Sequence, residues 1–249
     1  MKKTIILLLT VTTLPSMANE NISAIKSIAL VAVKKDSTQY VRICNAADNK
    51  CGIETKIWQD KGLNDVFYLT NSSLELIKIK NNNGAYVNEG LWRFDEKNKS
   101  TSPDEELNKE GLYIYPALYP LSKSKQAVAL VSKWATSYSG GGREEEYADF
   151  VMINNDGSYE TVFKNIPFSS KEMIRACFSE ADYAKTSHCH DENWSILNLK
   201  FIDDGKKYYS WKFTTKSYNW PAFTDKSSTS VTVDENVAYP FQSQPHSSE

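Results

Sequence analysis

QAVALVSKWATSYSGGGREEEYADFVMI, residues 126–153, is the stretch on which the fold class turns. Successive side chains of a strand point to opposite faces. Val128, Leu130, Trp134 and Tyr138 therefore share one face, and Ala127, Ala129, Val131 and Ala135 the other. Three glycines at 140–142 interrupt the run, and residues 144–153 then alternate again. With residues 140–143 as an unpaired loop, Ser139 faces Glu144. Tyr147, Val151 and Ile153 then join the Trp134 face, while Phe150 and Met152 join the alanines. Both faces are apolar near residues 128–131, which predicts a hairpin in the middle of its sheet, with a polar tip projecting from it.

Working outward, the same alternation and the turn residues predict more strands on either side. Upstream, residues 27–34 and 39–44 read as a hairpin across the polar gap 35–38. Strands follow at 53–59, 66–70, 74–80 and 85–94, with Ile77 and Ile79 out of phase as at a bulge. Pro116 and Pro120 make 112–119 an edge strand or a crossing segment. Downstream, strands are expected at 159–163, 195–202, 206–215 and 230–233, the middle pair joined by the turn Asp203-Asp204-Gly205. Tyr209, Trp211 and Phe213 alternate with polar residues and read as core rather than as a sugar-stacking face.

Two segments read as helical. Ser102-Pro103-Asp104-Glu105 has a cap, a proline at the first helical position and an acid behind it, and predicts a short surface helix ended by Gly111. Residues 167–194, PFSSKEMIRACFSEADYAKTSHCHDENW, hold two of the four cysteines and two of the three histidines. Ser169 or Ser170 is a possible cap there, and Met173, Ile174 and Cys177 share a helical face. The expected fold is thus mainly β: an antiparallel β-sandwich or barrel-like meander of about eleven to thirteen strands. A short, disulfide-stapled helical insertion is expected near 167–190.

The N-terminus bears on the compartment. Lys2 and Lys3, the apolar run 4–14 and Ser16-Met17-Ala18 have the layout of a secretory signal cleaved after Ala18. The apolar run is too short to span a bilayer comfortably, so no transmembrane segment is expected in the mature chain. Residues 19–239 then form a single β-rich domain, 240–249 a flexible tail, and the location is periplasmic or secreted. In an oxidising compartment four cysteines form two disulfides, most simply Cys44 with Cys51 and Cys177 with Cys189, each stabilising by about 2–3 kcal/mol. The longer-range pairings stay open. The 29 basic residues less the two signal lysines leave 27 against 31 acidic ones, a net charge near −4, which argues against a nucleic-acid partner.

The sequence holds no nucleophile elbow, no S-x-x-K and no phosphate-cradling glycine loop, so no catalytic residue and no cofactor is assigned. His188-Cys189-His190-Asp191-Glu192 is rich in metal-ligand types, with His188 and His190 as weak candidates, but it lacks a helical ligand spacing and Cys189 is taken up by its bridge. Glu144, Glu146 and Asp149 have a spacing that permits paired-carboxylate chemistry. Flexible polar tips on a rigid sheet more often carry recognition. Gly141, Arg143, Glu144, Glu145 and Glu146 are therefore candidate partner-binding residues, together with His188, His190, Asp191 and Glu192. The function expected is an exported, soluble binding or inhibitor protein that engages a protein partner of the envelope, for example by neutralising an envelope-acting enzyme. The alternative is an envelope hydrolase using a His/acid or metal site.

Overall fold

The computed structural model describes residues 25–48, 50–95, 104–185 and 188–242, so the expected signal segment lies outside the described residues. In chain order the elements are β1 (Ile28–Ala32), α1 (Thr38–Ala46), β2 (Lys56–Asp60), β3 (Val66–Thr70), β4 (Glu75–Asn82), β5 (Ala85–Arg93), β6 (Asn108–Ile114), β7 (Ala117–Pro120), β8 (Gln126–Tyr138), β9 (Gly141–Ile153), β10 (Tyr159–Arg175), α2 (Glu180–Lys185), β11 (His190–Ile202), β12 (Ser210–Trp220) and β13 (Ser230–Ala238). The strands make one antiparallel sheet in the order β13-β12-β11-β10-β9-β8-β7-β1-β2-β3-β4-β5, with β6 also pairing with β8. The sheet is not closed. A bridge between Ile25 and Phe201, and a hydrogen bond from the Tyr209 N–H to the Leu121 carbonyl (2.7 Å), draw its distant parts together.

β8 and β9 lie at the centre, as their two-sided apolar pattern predicts. Their turn is tighter than expected: Tyr138 pairs with Gly141, leaving Ser139 and Gly140 as a two-residue connection. The register moves by four residues relative to a Ser139–Glu144 pairing. An even shift leaves every side chain on its predicted face. Ala127, Ala129, Val131, Ala148, Phe150 and Met152 bury against β10–β12. At the centre of that layer Trp211 is fully buried and touches the rings of Tyr119, Phe150, Phe163 and Phe201. On the opposite face Val128, Leu130 and Val151 pack against Tyr68, Leu76, Trp92 and Phe94 of the N-terminal half. Ile77 and Ile79 turn the other way, under α1. β4 is thus buried on both faces, and the bulge falls opposite it, at Glu89 of β5.

Local readings are corrected in four places. Residues 39–44 are helical, not a strand. The Ser37 hydroxyl accepts from the Tyr40 N–H (3.1 Å), and Tyr40, Ile43 and Ala47 share one buried stripe on Phe67 and Leu69. Residues 171–175 are strand, not helix, because β10 has a partner on each side: Lys171 pairs with Glu144 of β9 and with Trp194 of β11. Pro167 sits at a bulge, where the ladder is already interrupted and a missing N–H is tolerated. Helix in this region is confined to α2, between Cys177 and Cys189, which are bonded to each other; Cys44 is bonded to Cys51. The described part of the 102–110 segment is a turn leading into β6. The Asp104 carboxylate accepts from the Glu106 N–H (2.9 Å), which favours a turn over a helical start. Finally, the 203–205 turn is part of a longer loop, since Ile202 pairs with Ser210. Beyond β13, Phe241 rests on Tyr208 with ring centroids 5.0 Å apart. Among the described residues no helix is long and apolar enough to cross a membrane.

The approach of β9 to β10 at the tip is close enough that a Cβ on Gly141 would overlap the Met173 carbonyl, whereas one on Gly111 would meet nothing within 4 Å. Gly141→Ala is expected to destabilise by about 2 kcal/mol or more. Gly111→Ala should stay within about 0.5 kcal/mol of the parent. Urea unfolding of the two variants side by side checks this.

Candidate functional site

β10 brings the two sequence-predicted clusters together. Directly paired residues share a face, and the rows across the sheet read Gly141–Ile174–Asp191, Gly142–Met173–Glu192–Trp220, Arg143–Glu172–Asn193–Asn219, and Glu144–Lys171–Trp194–Tyr218. Two further rows are Glu145–Ser170–Ser195–Ser217 and Glu146–Ser169–Ile196–Lys216. Gly141 and Asp191 are thus two strands apart, about 10 Å, although fifty residues separate them in sequence. The hairpin tip and the start of β11 form one end of the sheet.

The acidic run at that end is tied into the scaffold. Glu145 is buried, takes an ion pair from Arg143 (Nε–Oε1 2.7 Å) and accepts from the Tyr147 hydroxyl. The same guanidinium reaches Asp104 (Nη1–Oδ2 2.6 Å) and fastens the segment before β6 to the tip. Burial, and then the neighbouring Glu145 carboxylate, push the Tyr147 hydroxyl well above the ordinary phenol range, so it remains a donor. Glu144 pairs with Lys133 (3.2 Å), which also holds Glu110 (3.1 Å). Glu146 accepts from the hydroxyls of Tyr113 (2.9 Å) and Ser169 (2.7 Å). Asp149 lies at the opposite strand parity from Glu144 and Glu146 and is buried. Its carboxylate accepts from the Asn165 N–H (2.7 Å), where Asn165 bends β10 with a φ of 53°. Glu144 and Glu146 share one face of β9, each engaged by partners of its own, while Asp149 belongs to the other face.

The second cluster is held just as firmly. The His188 imidazole stacks flat on Trp220, 3.5 Å between centroids and 5° between planes, with Nδ1 4.0 Å from Glu192. Its carbonyl accepts from the Phe223 N–H (3.0 Å), and the Asp191 carboxylate from the Ala222 N–H (2.8 Å), so both pin the connection that follows β12. His190 pairs with Arg175 across β10–β11. No group of three or more His, Cys, Asp or Glu side chains is placed to share a metal ion among the described residues.

The sequence reading passed over the residues that stand out at this end. Arg175 donates from Nε to the Cys177 carbonyl (2.7 Å) and from Nη2 to the Tyr183 hydroxyl (2.8 Å). Its guanidinium lies 5.5 Å from the Phe178 ring and 5.9 Å from that of Tyr183. Phe178 is 75% exposed and Tyr183 53%. Tyr138 and Ile174, in the Gly141 row, are also exposed. Beside this aromatic knob a groove of about 420 Å³ is lined by Trp194, Ile196, Trp220, Lys171, Lys226 and Glu192, among others. The signal in the sequence was a pair of aromatics, Phe178 and Tyr183, in an otherwise polar segment. No family model matches this chain, and no curated protein or solved structure matches it either.

Burial raises the Asp149 carboxyl above the usual carboxylate range, against the lowering effect of its Asn165 hydrogen bond. A folded pKa above the unfolded one means that Asp149 stabilises fully below the unfolded value of about 3.9, and that this contribution is lost as pH rises through the folded pKa. Asp149→Asn keeps an acceptor for Asn165 without the charge. The variant should therefore gain stability relative to the parent between acidic and neutral pH. Urea unfolding at both pH values measures the difference, and a relative loss at neutral pH would contradict the assignment.

Proposed function

We propose that this chain is an exported, periplasmic or secreted binding protein that engages a protein partner through the aromatic knob at the β8–β11 end of the sheet. The observation that carries this reading is the exposure of Phe178 and Tyr183 around Arg175, on a segment closed by the Cys177–Cys189 bridge. Leaving an aromatic ring in water forgoes roughly 2–3 kcal/mol that burial would return. Aromatic side chains and arginine are also the residue types that dominate protein–protein binding energy. The disulfide and the Arg175 hydrogen bonds hold the rings in place before a partner arrives, which lowers the ordering cost of association. Both cysteine pairs are oxidised, in keeping with the secretory layout of residues 1–18 and with an oxidising compartment. Blocking an envelope-acting enzyme is one form such binding takes, and the acids and histidines at this end support it as scaffold.

The test is affinity capture from periplasmic and secreted fractions with the parent and a Phe178→Ala/Tyr183→Ala variant, followed by titration of the recovered partner against each. A partner bound by the parent and weakened roughly 30-fold or more in the variant, the loss expected of hot-spot side chains, supports the reading. Equal retention by both proteins, or no partner for either, would overturn it.

A further inference from the structure

The groove beside the knob has a chemistry of its own. Trp194 is half-buried and has one ring face against Tyr218, centroids 5.0 Å apart and planes within 5°. In the next row on the same face Trp220 is held by the His188 stack and by an Nε1–H bond to the Thr224 carbonyl (3.2 Å). Ile196, 48% exposed, continues the apolar floor along β11. Each indole is a fixed surface, because a ring stacked on one face already determines where it points.

Charge is arranged around that floor. Lys171 projects from β10 in the Trp194 row, on one side of β11. Lys226 comes from the connection after β12, on the other side, with its ammonium 6.0 Å from the Trp220 ring. Glu192 lies between them, and Ser169, whose hydroxyl bonds Glu146 (2.7 Å), is also among the lining residues. The volume of about 420 Å³ falls in the usual range of small-ligand sites, in which apolar walls carry a few directional polar groups.

We infer that this groove binds a saccharide carrying carboxylate groups. Such a ligand presents an apolar C–H face to lie on a flat indole, hydroxyls for Glu192 to bond, and negative charge for two ammoniums. A purely apolar ligand would leave Lys171 and Lys226 without use, and a neutral sugar would leave both ammoniums unmatched. The site does not depend on the knob: Phe178 and Tyr183 are not among the residues lining the groove.

Intrinsic tryptophan fluorescence, with calorimetry as a second readout, tests this on the full mature chain using tri-galacturonate, its methyl ester and a neutral trisaccharide. Saturable binding of tri-galacturonate is expected, with the ester and the neutral sugar weaker by about 10-fold or more, as befits loss of charge-assisted hydrogen bonds. Trp194→Ala should abolish binding. Lys171→Glu/Lys226→Glu, at two exposed positions, should weaken it by about 10-fold or more while leaving the thermal midpoint unchanged. Phe178→Ala/Tyr183→Ala should bind as the parent does, so failure of the protein-docking reading and failure of this one are separable. Absence of saturable binding, equal affinity for acid and ester, or indifference to the lysine reversals would each overturn the assignment.

Discussion

Burial of the β8–β9 hairpin on both faces is the constraint from which the rest of the architecture follows. A strand pair with one apolar face can rest on a single layer, but Val128 and Leu130 point one way while Ala129, Val131 and Phe150 point the other. Water must be excluded from both sides. The N-terminal meander covers one face with Tyr68, Leu76 and Trp92, and the C-terminal meander covers the other with Phe163, Trp211 and Phe213. β3 and β4 in turn have two apolar faces, and α1 closes the outer one through Tyr40 and Ile43. One continuous sheet therefore curls over itself instead of lying flat. Trp211 is fully buried in a layer it shares with the small side chains of Ala127, Ala129 and Ala148.

Curvature of that kind has to be built into a strand, and β10 carries most of it. Its pairing with β9 slips three times, between Thr161 and Phe163, Phe163 and Ile166, and Pro167 and Ser169. Each bulge adds twist and re-aims the side chains beyond it. The buried Asp149 belongs to this device, since its carboxylate holds the Asn165 N–H at the second bulge. The buried acid accepts from a backbone donor at the bent ladder, and that hydrogen bond offsets part of its desolvation cost. Above the bulges β10 runs straight between the hairpin tip and β11, and so joins two clusters far apart in sequence.

That junction changes the meaning of the residues the sequence made conspicuous. Glu144, Glu145, Glu146, Asp191 and His188 attract notice because their side chains suit catalysis or metal binding. In the folded chain they hold strands, loops and rings in place. The surfaces proposed to meet a partner or a ligand belong to residues with plainer sequence signals: Arg175, Phe178 and Tyr183 on the knob, and Trp194, Lys171 and Lys226 in the groove. An exposed ring cannot be told from a buried one by its letter, because exposure depends on what the fold brings next to it.

What the sequence determined by itself was whatever rests on local periodicity and nearest neighbours. The side-chain alternation at 126–153 set the central hairpin and both of its faces, and the alternation at 209–213 marked core. Short loops favoured Cys44–Cys51 and Cys177–Cys189. Tertiary structure alone decided the state of residues 39–46 and 171–175, the β8–β9 register, and the meeting of Gly141, Ile174 and Asp191. The physical reason is one of scale. Intrinsic preferences differ by only some tenths of a kcal/mol per residue, so a short segment takes whichever form lets it bury a side chain and complete its hydrogen bonds. For residues 171–175 that form was a strand, because two partners were waiting on either side.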